Sequence, residues 1–174
     1  MLKKKYTILL IIIIIIVIII LFFLSVYTLE LRSFSDNELI FKRIVLPGDK
    51  FTLKYTHSVS LTPVWEIFII DDNYHIVLIE TDFLDHGAGL PYTAFNQEVF
   101  LHEDDKFKII NMHRVMPSPI YYMVGEIREI YFYFKDKEIN LSSLLGDKLI
   151  TITINKYNFF NYFIKRSLHK WPKI

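Results

Sequence analysis

From Tyr6 to Leu29 the chain runs 24 residues without a charge, and Ile8–Leu24 is apolar throughout, mostly isoleucine. No other feature restricts the fold as strongly. At ~1.5 Å per helical residue such a run reaches roughly 36 Å, enough to cross a hydrocarbon core of ~30 Å. Isoleucine is a middling helix former in water. In lipid every backbone amide must be satisfied within the segment, and that need overrides the preference. A cleaved signal peptide would carry a shorter apolar stretch and small residues at its cleavage point. Ser25-Val26-Tyr27-Thr28 offers no such pattern. Residues 1–29 therefore read as an uncleaved signal anchor. Lys3, Lys4 and Lys5 precede the span and put the N-terminus in the cytoplasm. The expectation is a single-pass protein of the cytoplasmic membrane, with the lipid bilayer as its first partner and everything from Glu30 onward extracytoplasmic.

Charge supports this division. The whole chain is nearly neutral at +1, but residues 1–29 hold three lysines and no acid, and residues 156–174 hold five basic residues and no acid. The body between them is acidic, 12 basic against 19 acidic residues. A nucleic-acid binder would show a basic excess on one face, so that class is excluded. Absence of cysteine removes disulfides, thiolate metal sites and cysteine nucleophiles.

Beyond a polar juxtamembrane linker over residues 30–38, the body over 39–155 reads as strands. Phe51, Leu53, Tyr55, His57 and Val59 alternate with Thr52, Lys54, Thr56 and Ser58, which is the period of a half-buried strand. Further strands are expected at Leu39–Val45, Val64–Ile70, His75–Phe83, Glu98–His102, Phe107–Met112, Ile120–Gly125, Glu129–Lys135 and Leu149–Asn155, separated by turn-forming clusters such as Pro47-Gly48-Asp49 and Asp71-Asp72-Asn73. Leu141–Leu145 reads as one helical turn ended by Gly146. The fold class is mainly β: an antiparallel β-sandwich or small barrel outside the membrane, preceded by the transmembrane helix and followed by a short amphipathic helix.

Candidates for chemistry are few. With Ser60–Pro63 as a four-residue hairpin loop, His57 falls opposite Glu66 on one face, their Cβ atoms ~5 Å apart. Glu66 alternates with Val64, Phe68 and Ile70, and a carboxylate among apolar neighbours needs a partner. The pair is either a register-fixing contact or a polar site for a ligand or proton, with Ser58 beside it. A second candidate is Asp85-His86-Gly87-Ala88-Gly89-Leu90-Pro91, where Gly87 and Gly89 allow a turn whose amides could cradle an anion. It lacks the glycine spacing and lysine of a P-loop. Ser58 and His57 are adjacent on a strand and point to opposite faces, so they cannot serve each other as nucleophile and base. No Gly-x-Ser-x-Gly elbow and no metal-binding histidine spacing occurs. No cofactor or metal is expected, and an enzyme is the lesser reading: a tethered hydrolase or metal site would have to gather His57, His86 and His113.

The stretches Tyr55-Thr-His-Ser-Val through Thr62-Pro-Val-Trp-Glu66, then Phe83 through Gly87-Ala-Gly-Leu-Pro91, resemble the signature segments of the bacterial family called domain of unknown function 1850. Asn111-Met-His-Arg114-Val-Met-Pro117 through Gly125 fits a third. The resemblance covers roughly Leu39–Ile154. The family has no established activity, and the resemblance implies a transport accessory role, since members are commonly encoded beside TAXI-type tripartite (TRAP) transporters; the permease or solute receptor of such a system becomes the implied partner.

The tail, 156–174, lies outside that resemblance. As a helix it would line up Phe160, Phe163, Ile164, Leu168 and Trp171 in one stripe, with Lys165, Arg166, Lys170 and Lys173 elsewhere. Such a helix lies in the membrane interface, packs on the domain's own sheet, or docks on a transporter subunit.

Overall fold

The computed structural model describes residues 2–85, 93–103, 105–125 and 129–168. It opens with helix α1, Leu2–Phe23, whose Lys5–Phe23 portion is long and apolar enough to cross a membrane and is not covered by the rest of the chain. Strand β1, Ser25–Ser33, begins two residues after the helix ends. Two expectations are thereby corrected. The helical span stops at Phe23, not Leu29, and most of the supposed linker is strand; residues 34–38 alone turn the chain into the next one. The uncharged run hid the change because Val26, Tyr27 and Thr28 are as apolar or as strand-prone as the isoleucines before them. What decides their state is pairing: β1 lies in the middle of a sheet, hydrogen-bonded on both sides.

The remaining elements are β2 (Leu39–Ile44), β3 (Lys50–Thr56), β4 (Pro63–Ile70), β5 (Ile76–Phe83), β6 (Val99–Glu103), β7 (Lys106–Ile110), β8 (Arg114–Val115), β9 (Ile120–Val124), β10 (Tyr131–Phe134), β11 (Lys137–Asn140), α2 (Leu141–Leu145), β12 (Lys148–Asn158) and α3 (Phe159–Leu168). They form two antiparallel sheets. Sheet A has the order β2-β1-β12-β9; sheet B has the order β11-β10-β3-β4-β5-β7-β6, with β8 also pairing to β5. The sheets are not closed into a barrel, which settles the sandwich against its alternative.

The core lies between them. Sheet A contributes Leu29, Leu31, Phe41, Ile150 and Ile152; sheet B contributes Phe51, Leu53, Val64, Phe68, Phe83 and Phe132, all buried. Phe41 meets Phe132 across the gap, packed edge-on at 4.9 Å between centroids, and within sheet B the cross-strand pair Phe51 and Phe68 stack at 4.8 Å. Period-two alternation puts these residues on the inward face of each strand. The helical turn α2 is where the sequence placed it. The Asn140 side chain accepts the Ser143 N–H at 2.9 Å, and Gly146, at φ +62°, ends the turn in a conformation that glycine adopts freely.

The tail differs from expectation. β12 continues to Asn158, so the helix starts at Phe159 and not at Lys156. Among the described side chains of the helix, Phe159–Phe163, the buried one is Tyr162, outside the predicted stripe; Ile164, Leu168 and Trp171 of that stripe lie outside the described side chains. The helix lies against the start of β1, the end of β12 and α1.

Candidate functional site

β4 places Glu66 on the inward face of sheet B, between buried Val64 and Phe68. Leu53 of β3 and Thr81 of β5 are its cross-strand neighbours. Two phenols converge on its carboxyl. The Tyr55 hydroxyl, from β3, donates to Oε1 at 3.3 Å, and the Tyr122 hydroxyl, from β9 of the opposite sheet, donates to Oε2. Among the described residues Glu66 has no cationic partner. Burial pushes its carboxyl above the ordinary value of 4.5, against the opposing pull of the two phenol hydrogen bonds. Burial and the facing carboxylate likewise push the Tyr122 phenol well above its ordinary value. The centre can hold a proton or accept hydrogen bonds, and it ties one sheet to the other.

His57 does not face Glu66. The β3–β4 register pairs Leu53 with Glu66 and Thr56 with Pro63, so the hairpin loop is Ser58–Leu61, two residues earlier than predicted. His57 itself sets this. Its backbone N–H donates to Thr62 O at 2.8 Å, its carbonyl accepts Leu61 N–H at 3.0 Å, and its ring Nδ1 accepts the Ser60 N–H at 3.3 Å. The slip is an even number of residues along the strand, so the inward face was predicted correctly while the partner was not. Ser58 sits exposed at the hairpin tip.

The other described sequence candidates are dispersed. His86, Gly87 and Gly89 lie outside the described residues. Arg114 makes a two-pronged ion pair with Glu98, Nε to Oε1 at 2.8 Å and Nη2 to Oε2 at 2.9 Å, which holds the Glu98 carboxyl below its ordinary value. His113 lines an open groove of about 490 Å³ beside this pair, with Phe95 and Asn111. By register, His113 lies at the level of Ile79 on β5, whereas His57 lies beyond Phe83. About six residues of strand at ~3.3 Å each separate the two levels, roughly 20 Å. Among the described residues no three His, Asp or Glu side chains gather as a metal would need.

Residues 51–141, more than half of the chain, match the family model described as Domain of unknown function (DUF1850). The chain belongs to the DUF1850 family. No curated protein and no solved structure matches it. In this DUF1850 protein the matched span runs from the start of β3 to the first residue of α2, so Tyr55, Glu66 and Tyr122 fall inside it, while α1, β1, β2, β12 and α3 fall outside.

Outside the matched span lies a second polar centre that the sequence reading missed. Glu30 is fully buried on the outer face of sheet A. Its Oε1 accepts Lys42 Nζ at 2.8 Å, the Tyr157 hydroxyl at 2.8 Å and the Thr28 hydroxyl at 3.0 Å; its Oε2 accepts Arg32 Nε and Nη2, each at 2.9 Å. Burial alone would raise this carboxyl, but the hydrogen bonds from Lys42 and Tyr157 and the Lys42 charge hold it below its ordinary value. Tyr157 is correspondingly pushed up to about 12, by burial and by its bond to Glu30. Lys42 also lies 3.7 Å from the Tyr157 ring centroid and 5.6 Å from that of Tyr162. Every lone pair of Glu30 is engaged, so this centre braces the outer face, and α3 covers it. The available signal was the alternation Thr28, Glu30, Arg32, which reads as a polar strand face once β1 is recognised as a strand.

Proposed function

We propose that this DUF1850 protein is a signal-anchored, single-pass protein of the cytoplasmic membrane, N-terminus inside, whose sandwich is an extracytoplasmic, non-enzymatic accessory or binding domain for a TAXI-type TRAP transporter. The observation that carries the anchored reading is the continuity of α1 into β1. The membrane-competent helix ends at Phe23 and the central strand of sheet A starts at Ser25, and Phe159 N–H donates to Leu24 O at 2.9 Å across the junction. A domain joined this tightly shows a fixed face to neighbours in the same bilayer and meets them at high effective concentration. That suits a resident membrane partner better than a diffusing one.

A binding role is favoured over catalysis by how the polar side chains are used. The His57 ring closes its own turn, Arg114 is engaged by Glu98, and the Glu66 carboxyl is held by two phenols with an inter-sheet span between them. The transporter as partner rests on the family resemblance. The test is purification of the tagged full chain from detergent-solubilised membranes. Co-elution of a TAXI-type permease or solute receptor is the expected result; recovery of the chain without either, at a tag occupancy that depletes it from the extract, contradicts the transporter reading.

A further inference from the structure

Five phenylalanines gather where α1 gives way to the sandwich. Phe22 and Phe23 end the helix, 60% and 79% exposed. Phe159, Phe160 and Phe163 open α3. The Phe22 and Phe160 rings are 6.1 Å apart, and Phe159 lies 4.6 Å from Phe163. The backbone holds the two helices together: besides the Phe159–Leu24 bond, the Asn158 side-chain amide donates to Phe22 O.

At ~100° per residue the side chains of this first turn separate cleanly. Tyr162 points to sheet A, buried, its ring 6.4 Å from that of Tyr157. Phe160 meets α1. Phe163 falls between them, into the angle the helix makes with α1 and the sheet, and is 41% exposed. Asn161 is exposed on the remaining side. The helix is thus committed on two faces, and the partly exposed side between them shows an aromatic ring at the level where the apolar run of α1 ends.

That level is where a spanning helix leaves the hydrocarbon, the zone in which aromatic side chains concentrate. The sequence from 156 to 174 adds five basic residues and no acid, a complement to anionic headgroups. We infer that the last turn of α1 and the first turn of α3 form one aromatic collar seated in the headgroup layer of an anionic bilayer, with Phe163 facing lipid. The collar fixes the tilt of the sandwich, because Tyr162 on the same turn is locked over Lys42 and Tyr157. It does not depend on the transporter reading.

The chain has no cysteine, so single thiols report without background. Phe163→Cys, Asn161→Cys and Ser58→Cys, each in the full chain, are labelled with an environment-sensitive fluorophore and reconstituted into vesicles of phosphatidylcholine and phosphatidylglycerol carrying a lipid-borne nitroxide. The collar predicts blue-shifted emission and a several-fold loss of intensity at 163, little change at 161 and none at 58. Water-like, unquenched emission at 163 overturns it, as does equal quenching at 161 and 163. A blue shift at 163 without quenching, meaning that protein covers the site, overturns it too. Phe163→Trp keeps an aromatic ring there and is read with brominated lipid against the chain's own Trp65 and Trp171; a gain in quenchable emission supports the collar, and no gain contradicts it.

Discussion

Tyr122 on sheet A donates its phenolic hydrogen bond to Glu66 on sheet B, across 56 residues of sequence and across the gap between the sheets. With Tyr55 on the other carboxyl oxygen, it turns a carboxyl group in an apolar layer into a tie between the two halves of the sandwich. Removing one donor leaves part of that carboxyl unsatisfied in a poorly hydrated place, which costs more than a hydrogen bond gains in water.

Tyr122→Phe is therefore expected to lower stability by about 1–3 kcal/mol, read as a fall in the denaturant midpoint with the slope unchanged. Tyr55→Phe, whose bond is longer at 3.3 Å, should cost less.

Glu66 also gives the protein a pH signature. Its folded-state carboxyl titrates above the ordinary 4.5, so between the two values the native state binds more protons than the unfolded one. Stability from this group is fully present below about pH 4.5 and is lost as pH rises through the raised value. Glu66→Gln cannot ionise, so its stability relative to the parent should climb over that window. Parallel melting curves from pH 4 to pH 8, with no change in the difference between the two proteins, would contradict the raised value.

Glu30 behaves oppositely. Its carboxyl is held low, so its contribution is present above its ordinary value and fades as pH falls through the lowered one. Lys42→Met removes one charge from a buried pair; with Arg32 still on Oε2, the cost at neutral pH should be about 3 kcal/mol. The gap should narrow in acid, where Glu30 of the variant protonates first. A cost independent of pH would show that Lys42 acts through packing on Tyr157 alone.

The limits of the sequence are specific. Sheet B was legible because Phe51, Leu53, Val64, Phe68 and Ile70 alternate with polar or half-buried positions, and the inward face followed from parity alone. The partner of Glu66 was not, because two loop placements preserve that parity and the choice between them is made by the His57 ring, a contact no pattern encodes. β1 was lost inside the uncharged run: a membrane helix and a buried strand both select against charge, and the boundary at Leu24 is set by pairing with β12 and β2. Tyr122 lay in a predicted strand, but nothing local couples it to a residue 56 positions away. In the tail the helix was expected, yet among its described side chains the one docked on the sheet is Tyr162, over Lys42 and Tyr157.

Because β1 is central, the place where the anchor is cut matters. A chain starting at Leu24 keeps all nine β1–β12 pairs from Ser25 to Ser33 and should be soluble and cooperatively folded. One starting at Glu30 loses Leu29, fully buried, together with the Ser25–Leu29 half of the ladder, and should aggregate or melt without a sharp transition. Equal melting temperatures for the two would refute the central role of β1.

His57→Ala tests the hairpin. It removes the acceptor for Ser60 N–H at the exposed loop, so the loss should be about 1 kcal/mol. A loss several times larger would place His57 in the interior, as a pairing with Glu66 would require.

The proposed function requires the sandwich to lie outside the cytoplasmic membrane, held at its surface by α1. Ser58, exposed at the hairpin tip, gives the direct measurement. Full-length Ser58→Cys, in a chain otherwise free of cysteine, is exposed to a membrane-impermeant maleimide in intact spheroplasts. Full labelling before the membrane is opened, on a chain that stays with the membrane fraction through a high-salt wash, is the predicted result. Labelling that appears only after permeabilisation would put the sandwich in the cytoplasm and contradict the proposed function.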